Sequence, residues 1–166
     1  MRSLLKSATA LAAVCAAALI GPAAHAGSAQ SQLQVQLTIL PSCTVSSANP
    51  MDFGSVGSLT GAINASTSIL VNCTQGTQYW VAADGGGTQN IAARAMTGGM
   101  GAPVSYQLYQ DAGHLQVWGN TGPAVDEVPG FGVGSATPVM VYGQVPPQTT
   151  PAPGSYSDYV NVTVNY

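Results

Sequence analysis

The sequence predicts an all-β fold, a β-sandwich of the immunoglobulin-like kind, and three observations support this prediction. Several short segments alternate apolar and polar residues, which places the apolar side chains on one face of an extended backbone. Gly- and Pro-rich stretches separate these segments, as expected where turns join short strands. The spacing typical of an amphipathic helix is almost absent. Packed antiparallel sheets are the architecture that this combination favours.

The first 26 residues have the pattern of a secretory signal. Arg2 and Lys6 precede an apolar run over residues 8–20, and residues 24–26 read Ala-His-Ala, an A-x-A cleavage site. The apolar run is shorter than the roughly 18 to 20 residues that a membrane span needs. We therefore expect an exported protein without stable membrane insertion.

The remainder of the chain divides into an N-terminal extension, residues 27–40, and one domain, residues 41–166. In this part of the sequence Arg94 is the only Lys or Arg residue, against six Asp and Glu residues. Nucleic acid and anionic lipid are bound by clustered basic side chains. Neither is expected as a partner.

Two cysteines remain after the signal, Cys43 and Cys73, and in an exported chain we predict that they form a disulfide. The closed loop of about 30 residues would stabilise the fold by roughly 3.5 to 4 kcal/mol in the chain-entropy model. Zinc would need more ligands than two cysteines and His114 can supply. We expect neither a metal nor a cofactor.

The first predicted strand, residues 32–39, carries four branched apolar residues at every second position, with Gln or Thr between them. They are Leu33, Val35, Leu37 and Ile39. Six further strands are predicted in the domain, over residues 51–56, 66–73, 77–83, 104–109, 114–119 and 138–146. We interpret residues 89–102 as an irregular crossover and residues 120–137 as an exposed loop.

The last predicted strand, residues 156–166, has no following hairpin partner. One of its faces presents Tyr156, Asp158, Val160, Val162, Val164 and Tyr166. Its outer edge must be covered by a segment from elsewhere in the sequence, because an unpaired strand edge favours aggregation. Residues 33–39 are the obvious candidate.

A series of short motifs resembles the spore coat protein U family, the secreted domains that also build the archaic class of chaperone-usher pili. The motifs occur in the order Cys43-Thr44-Val45, Met51-Asp52-Phe53-Gly54, Ile69-x-Val71-x-Cys73, Gly76 with Tyr79, Arg94-x-Met96, Tyr106-Gln107-Leu108-Tyr109 with Asp111, Trp118-Gly119, Val141 to Pro146, and Gly154 to Val164. No single motif is rare, but their order and spacing together are specific.

The resemblance implies an incomplete immunoglobulin-like sandwich that lacks its final strand and carries an N-terminal donor strand. Leu33, Val35, Leu37 and Ile39 of one subunit would fill a groove of the next, beside a strand that carries Val160, Val162, Val164 and Tyr166. The implied partners are identical or homologous subunits, a periplasmic chaperone and an outer-membrane usher. The implied product is a fimbria at the cell surface.

Two other functions stay open at this stage. The same domain could serve as a secreted spore-coat or matrix structural protein without forming a pilus. It could also be a small carbohydrate-binding sandwich, for which Trp80 and Trp118 would be the candidate platform residues. Aromatic residues in sandwich strands are more often core or half-buried, so we favour a structural role for both.

Enzymatic chemistry finds little support in the sequence. The adjacent Asp126 and Glu127 fall in the Gly/Pro-rich stretch, where we expect a solvated loop. His114 has no cysteine nucleophile available if the disulfide forms, and no G-x-S-x-G motif occurs. Residues 130–134 read Gly-Phe-Gly-Val-Gly without the strand, helix and Lys of a nucleotide loop. Arg94 is expected to make a structural ion pair or to bind backbone carbonyls.

Overall fold

The computed structural model describes residues 26–47, 49–123 and 125–166, so nearly all of the predicted signal lies outside the described residues. Within these ranges the chain is all-β, as predicted, with one short 3₁₀ turn at Gly86–Thr88. The strands are β1 (Cys43–Ser47), β2 (Ile63–Cys73), β3 (Gln78–Ala83), β4 (Ala95–Gly98), β5 (Val104–Ser105), β6 (Gln107–Tyr109), β7 (Val128–Phe131), β8 (Thr137–Val145), β9 (Tyr156–Ser157) and β10 (Val162–Asn165). No helix in the described ranges has the length and hydropathy needed to cross a bilayer.

Antiparallel hydrogen bonding joins the strands of the described residues into three sheets. The largest sheet has the order β1-β2-β8-β6, a second has the order β10-β3-β7, and a small third sheet has the order β5-β4-β9. The longest pairing sets Ile63–Val71 of β2 against Thr137–Val145 of β8. The strands β1 and β10, at the ends of two different sheets, lie close together.

The first two sheets share one hydrophobic core. Val71 of β2 and Val141 of β8 are buried in the same cluster as Tyr79 and Val81 of β3. Along β8 the buried positions alternate with exposed or half-buried ones, as the period of two in a strand requires. The alternation that predicted strands is therefore the pattern that fills the core.

Cys43 and Cys73 lie directly opposite each other at the start of β1 and the end of β2, and a disulfide joins them. Cys73 is buried, and Cys43 packs against the core. The disulfide therefore fixes the first residue of the domain's first strand to the end of a central one.

The strand predicted over residues 51–56 is absent. The Asp52 carboxylate accepts a hydrogen bond from the Gly54 N–H at 2.8 Å, a local turn that competes with an extended ladder. The side chains of Met51 and Phe53 instead pack over β8 at Gly143, where a Cβ would lie 2.2 Å from the Met51 sulfur and 2.8 Å from the Phe53 ring. Glycine at this position lets the segment lie flat on the sheet.

Three more predictions about the middle of the chain were wrong in part. Residues 89–102 are not entirely an irregular crossover, because they contain β4, which pairs with β5 and β9. Residues 120–137 are not entirely an exposed loop, because they contain β7, which pairs with β3. The hairpin predicted for residues 104–119 is reduced to one bridge, between Tyr109 and Val117. The Asp111 carboxylate accepts the N–H groups of Leu115 and Gln116, which occupies donors that a longer ladder would use.

The last strand is interrupted. β9 pairs with β4 and β10 pairs with β3, with residues 158–161 between them outside any ladder. In this interruption, carboxylates rather than a neighbouring strand accept hydrogen bonds from the backbone N–H groups. Asp158 accepts the Tyr159 N–H at 2.8 Å, and Asp84 accepts the Asn161 N–H at 2.9 Å.

Candidate functional site

Two surface cavities, of about 470 and 560 Å³, adjoin on one side of the core. They share four lining side chains, those of Met51, Phe53, Met96 and Tyr156. We treat the two cavities as one groove, with these four side chains at its middle. A groove of this size, with mainly apolar walls in its first cavity, suits an extended peptide better than a small polar ligand.

Core side chains line most of the first cavity and part of the second. The first cavity is lined by Ile69, Leu108, Trp118 and Val141, which are buried, and by the half-buried Val160 and Val162. The second cavity is lined by Leu59, Ile63, Val104 and Val145. The first cavity is therefore an opening onto the hydrophobic core, whereas polar and apolar groups share the walls of the second.

Of the residues predicted to form an acceptor strand, Val160 and Val162 line the first cavity, whereas Val164 and Tyr166 line neither cavity. Val160, Val162 and Val164 are half-buried and pack against the core, whereas Tyr166 is 60% exposed. β10 is an edge strand, hydrogen-bonded only to β3 among the described residues. Its other edge offers unpaired backbone donors and acceptors beside a row of incompletely covered valines.

The predicted donor residues lie in a segment without regular secondary structure, residues 26–42. The exposed fraction is 87% for Leu33, 84% for Val35, 86% for Leu37 and 73% for Ile39. Four large apolar side chains at alternating positions are thus left in water, an arrangement that soluble monomers rarely tolerate unless a partner covers it. The predicted strand is not formed within the described chain.

Arg94 holds the end of β3 in place. Its side chain is 1% exposed, and its Nη2 donates to the carbonyl oxygens of Ala83 at 3.0 Å and Asp84 at 2.6 Å. Its Nη1 donates to Oε1 of Gln107 at 2.6 Å. Burial lowers the pKa of Arg94, and nearby acidic groups act in the opposite direction. The arginine therefore satisfies backbone carbonyls, one of the two roles expected from the sequence.

Next to Arg94, polar bonds hold residues 158–161 at the wall of the groove. The Tyr106 hydroxyl donates to Oδ2 of Asp158 at 2.8 Å, and the amide of Asn161 donates to Oδ2 of Asp84 at 2.6 Å. Burial and the Asp158 hydrogen bond raise the pKa of Tyr106, so its hydroxyl keeps the donated proton. These hydrogen bonds hold residues 158–161 in place, where the backbone is not paired with a neighbouring strand.

Acid should loosen this wall through Asp84. Burial acts to raise the pKa of Asp84, but hydrogen bonds from Asn161 and Gly86 outweigh it and leave the pKa below the usual 3.8. The stabilisation is thus fully present above pH 3.8 and is lost as the pH falls through the lowered folded value. We expect Asp84→Asn to show a smaller decline in denaturation midpoint below pH 3.8 than the unmodified chain.

The control for this acid effect is Asp52→Asn, which removes a carboxylate that does not contact Asn161. An equally steep decline in the chain with Asp84→Asn and in the unmodified chain would show that another carboxylate governs the acid response.

The other residues singled out in the sequence do not form a catalytic site. His114 packs edge-on against the Tyr109 ring, with 4.9 Å between the two ring centroids. Asp126 accepts the Thr121 N–H, while Glu127 is only 5% exposed and its Oε2 has no hydrogen-bond partner among the described residues. The expectation of a solvated loop was therefore wrong for Glu127. No group of three or more potential metal ligands occurs within the described ranges.

The two tryptophans are not equivalent. Trp118 is 2% exposed, and its indole N–H donates to the Val81 carbonyl at 2.8 Å. Trp80, on β3, is half-buried. A sugar would need the face of an exposed ring, and Trp118 does not offer one.

Sequence reasoning missed one part of the groove, the contribution of residues 51–59 and 150–156 to its second cavity. The Met51-Asp52-Phe53-Gly54 motif was noted, but as a strand. Its apolar residues at alternating positions were the available signal, since Met51 and Phe53 both line the groove.

Comparisons with known proteins give similarities of three kinds, to a family model, to a relative and to solved structures. A family model described as the Spore Coat Protein U domain matches residues 29–163. "Protein U" of Myxococcus xanthus is 30% identical over 162 residues, which cover 97% of this chain and 87% of the relative.

The third similarity is to a solved structure, the chaperone–tip adhesion subunit pre-assembly complex CsuC–CsuE from the archaic chaperone-usher Csu pili of Acinetobacter baumannii. The TM-score is 0.52 at 24% identity, over 78% of this chain. The matched part spans 40% of the solved chain. At this level of identity the similarity concerns the fold alone.

Proposed function

Since this chain belongs to the Spore Coat Protein U domain family, as its motifs predicted, we propose that it is a structural subunit of a secreted pilus. Residues 33–39 of one subunit insert into the groove of the next. A periplasmic chaperone covers the groove before assembly, and an outer-membrane usher exchanges it for the incoming extension. The solved relative, a chaperone–subunit complex of archaic chaperone-usher pili, supports this assignment.

The observation that carries the proposal is the match between two uncovered apolar rows. One row is the exposed face of Leu33, Val35, Leu37 and Ile39. The other is the half-buried row Val160, Val162 and Val164, of which the first two line the groove and the last two lie on the edge strand β10. An inserted strand would pair with that edge and cover the opening onto the core.

The fold supports the same proposal. In this interpretation the domain is an immunoglobulin-like sandwich without its final strand, and the vacancy lies between β1 and β10, which are close together in the described structure. Burying four aliphatic side chains at roughly 1.5 to 3 kcal/mol each gives on the order of 6 to 12 kcal/mol before ordering costs. Because donor and acceptor surfaces differ, the contact is head-to-tail and propagates as a filament.

The test is a mixing experiment with a chain that lacks residues 27–40. This truncated chain keeps the groove but has no donor, so it should accept one subunit and then end the fibre. We expect mean fibre length, measured by electron microscopy, to fall as the truncated fraction rises. Multimers of the complete chain should resist detergent and dissociate on heating.

The matched control for the truncation keeps the length of the extension and replaces residues 33–39 with a Gly/Ser sequence. It should shorten fibres as effectively as the deletion, because the missing element is the apolar row. Fibres of undiminished length that contain the truncated chain throughout would overturn the proposal.

A secreted coat or matrix role is the second candidate, and the family's description as a spore coat domain favours it. It differs from the pilus role in that the protein would be deposited on a surface without a chaperone and usher. Secretion of a stable, folded chain from cells that lack both would support the coat role.

A further inference from the structure

The stretch between β9 and β10, residues 158–161, is held beside the groove by the Asp158 carboxylate. Its Oδ1 accepts the Gly87 N–H at 2.9 Å, and its Oδ2 accepts the Tyr106 hydroxyl at 2.8 Å. Gly86 has a φ of 61°, and a Cβ at this position would collide with the same carboxylate. We call Asp158 with Gly86, Gly87 and Tyr106 the rim latch.

The far end of this stretch is held by Asp84, whose side chain replaces a backbone acceptor. Arg94 donates to the Asp84 carbonyl from Nε at 2.9 Å and from Nη2 at 2.6 Å, so this oxygen is occupied. The Asp84 N–H still donates to the Asn161 carbonyl at 3.1 Å, but the Asn161 N–H donates to Oδ1 of the Asp84 carboxylate at 2.9 Å. The Asn161 backbone therefore faces β3. Since the backbone groups of successive residues in an extended chain point to opposite edges, those of Val160 and Val162 face the open edge.

Tyr159 lies between these two anchoring points, at the mouth of the first cavity. Its ring is 88% exposed although it lines that cavity. Its N–H donates to Oδ1 of Asp158 at 2.8 Å, and the next residue, Val160, packs against the core. The backbone on both sides of Tyr159 is thus held in place, but its ring contributes almost nothing to the core.

The position of Tyr159 distinguishes it from other exposed aromatic residues. Such residues need no functional explanation when they lie singly on a surface, and Phe131 on β7 is an example, 63% exposed and outside both cavities. Tyr159 instead lies at an opening onto the core, on a backbone that polar bonds already order. Aromatic side chains offer a large contact area with few rotatable bonds, and they often dominate binding at interfaces. Little further ordering of this backbone would be needed when a partner covers the ring.

We propose that Tyr159 is a contact residue of the groove, whose ring packs across the strand inserted there, and that the rim latch positions it. This inference rests on the proposed function, in which residues 33–39 of another subunit occupy the groove. Its new content is that a residue outside the core contributes to the affinity, with Asp158 as its positioning residue. The inserted strand is then held from its outer side as well as by its apolar row.

The test is titration of a labelled peptide with the sequence of residues 29–41 into the complete chain. This parent chain carries Val35→Asn and Leu37→Asn, so that its own extension does not compete. Adding Tyr159→Ala should weaken peptide binding about 10-fold and leave the denaturation midpoint unchanged, because the ring is 88% exposed. The matched control, Phe131→Ala, removes an exposed ring that lines neither cavity, and it should bind the peptide as the parent chain does.

A second set of variants tests the rim latch. Asp158→Ala removes the acceptor of the Gly87 and Tyr106 donors and should weaken peptide binding about 10-fold or more. In the conservative variant, Asp158→Asn, Oδ1 can still accept the Gly87 N–H and the amide can donate to the Tyr106 hydroxyl, so the affinity should stay within a few-fold of the parent. Combining Asp158→Ala with Tyr159→Ala should weaken binding no further than Asp158→Ala alone, because both act through the same contact.

The outcomes separate this inference from the function on which it rests. Unchanged binding after Tyr159→Ala, or an equal loss after Phe131→Ala, would overturn the contact and leave the function standing. Losses that add in the double variant would overturn the positioning role of Asp158. If Asp158→Ala does not fold, Tyr159→Ala and its control decide. A peptide that binds none of the chains, the parent included, would overturn the proposed function.

Discussion

Replacing Val35 and Leu37 together with Asn should abolish the ability of a subunit to act as donor while leaving its own groove usable. Both side chains are more than four-fifths exposed in the described chain, so their loss removes no contact inside the domain. In an assembled joint each would be buried, and losing both costs about 3 to 6 kcal/mol. That corresponds to about 100- to 20,000-fold weaker binding.

The measurement is titration of two synthetic peptides, residues 29–41 with and without the two substitutions, into a chain that lacks residues 27–40. The control peptide carries Gln34→Ala and Gln36→Ala, which change the opposite face of the same strand. Its affinity should stay within a few-fold of the unmodified peptide, because alternate residues of a strand point to opposite faces. Equal losses from both pairs of substitutions would show that the apolar row is not what the groove binds.

The alternation in residues 33–39 and the pair of cysteines could be read directly from the sequence, because each is a local signal with a simple physical meaning. Cys43 and Cys73 form the disulfide, β2 and β8 fall where β-branched residues are concentrated, and β3 falls where Tyr79, Trp80 and Val81 follow one another. Alternation of apolar and polar residues can be recognised within a short window of sequence, without knowledge of distant residues.

β7 could not be predicted this way. Its sequence, Val-Pro-Gly-Phe, contains both residues that usually interrupt strands, and it lies in a Gly-rich stretch. The structure tolerates Pro129 because β7 is an edge strand that pairs only with β3 among the described residues. It tolerates Gly130 because the Tyr79 ring packs against the backbone there, where a Cβ would come within 2.2 Å of it. Both are tertiary contacts, invisible in a local window.

The groove was only half predictable for a related reason. The valines of the last strand were visible as a row, but the Asp84 carboxylate that takes the Asn161 N–H lies 77 residues away in the sequence, and Asp158 also accepts the N–H of Gly87, 71 residues away. The second cavity likewise combines residues near position 55 with residues near position 152. Such a wall has no signature in either segment alone.

The substitution Trp118→Ala should cost about 3 to 5 kcal/mol of the free energy of unfolding, the usual range for deleting a large buried aromatic side chain. Trp118 is 2% exposed, its indole donates to the Val81 carbonyl, and its ring lines the first cavity of the groove. Truncation therefore leaves a void in the core and removes the indole donor from the Val81 carbonyl. For a domain stabilised by about 5 to 15 kcal/mol, this is a large share of the total.

Two matched variants separate the loss of the buried ring from the loss of the indole hydrogen bond. Their free energies of unfolding are compared in denaturant titrations with the same m-value. Trp118→Phe keeps most of the ring but removes the indole donor, so it should cost less than half as much as Trp118→Ala. Trp80→Ala removes a half-buried ring from β3 and should also cost less, since less apolar area is lost from the core. If the protein with Trp118→Ala were as stable as the unmodified chain but had lost binding to a glycan, the prediction would be wrong. The ring would then belong to a sugar-binding site rather than to the core.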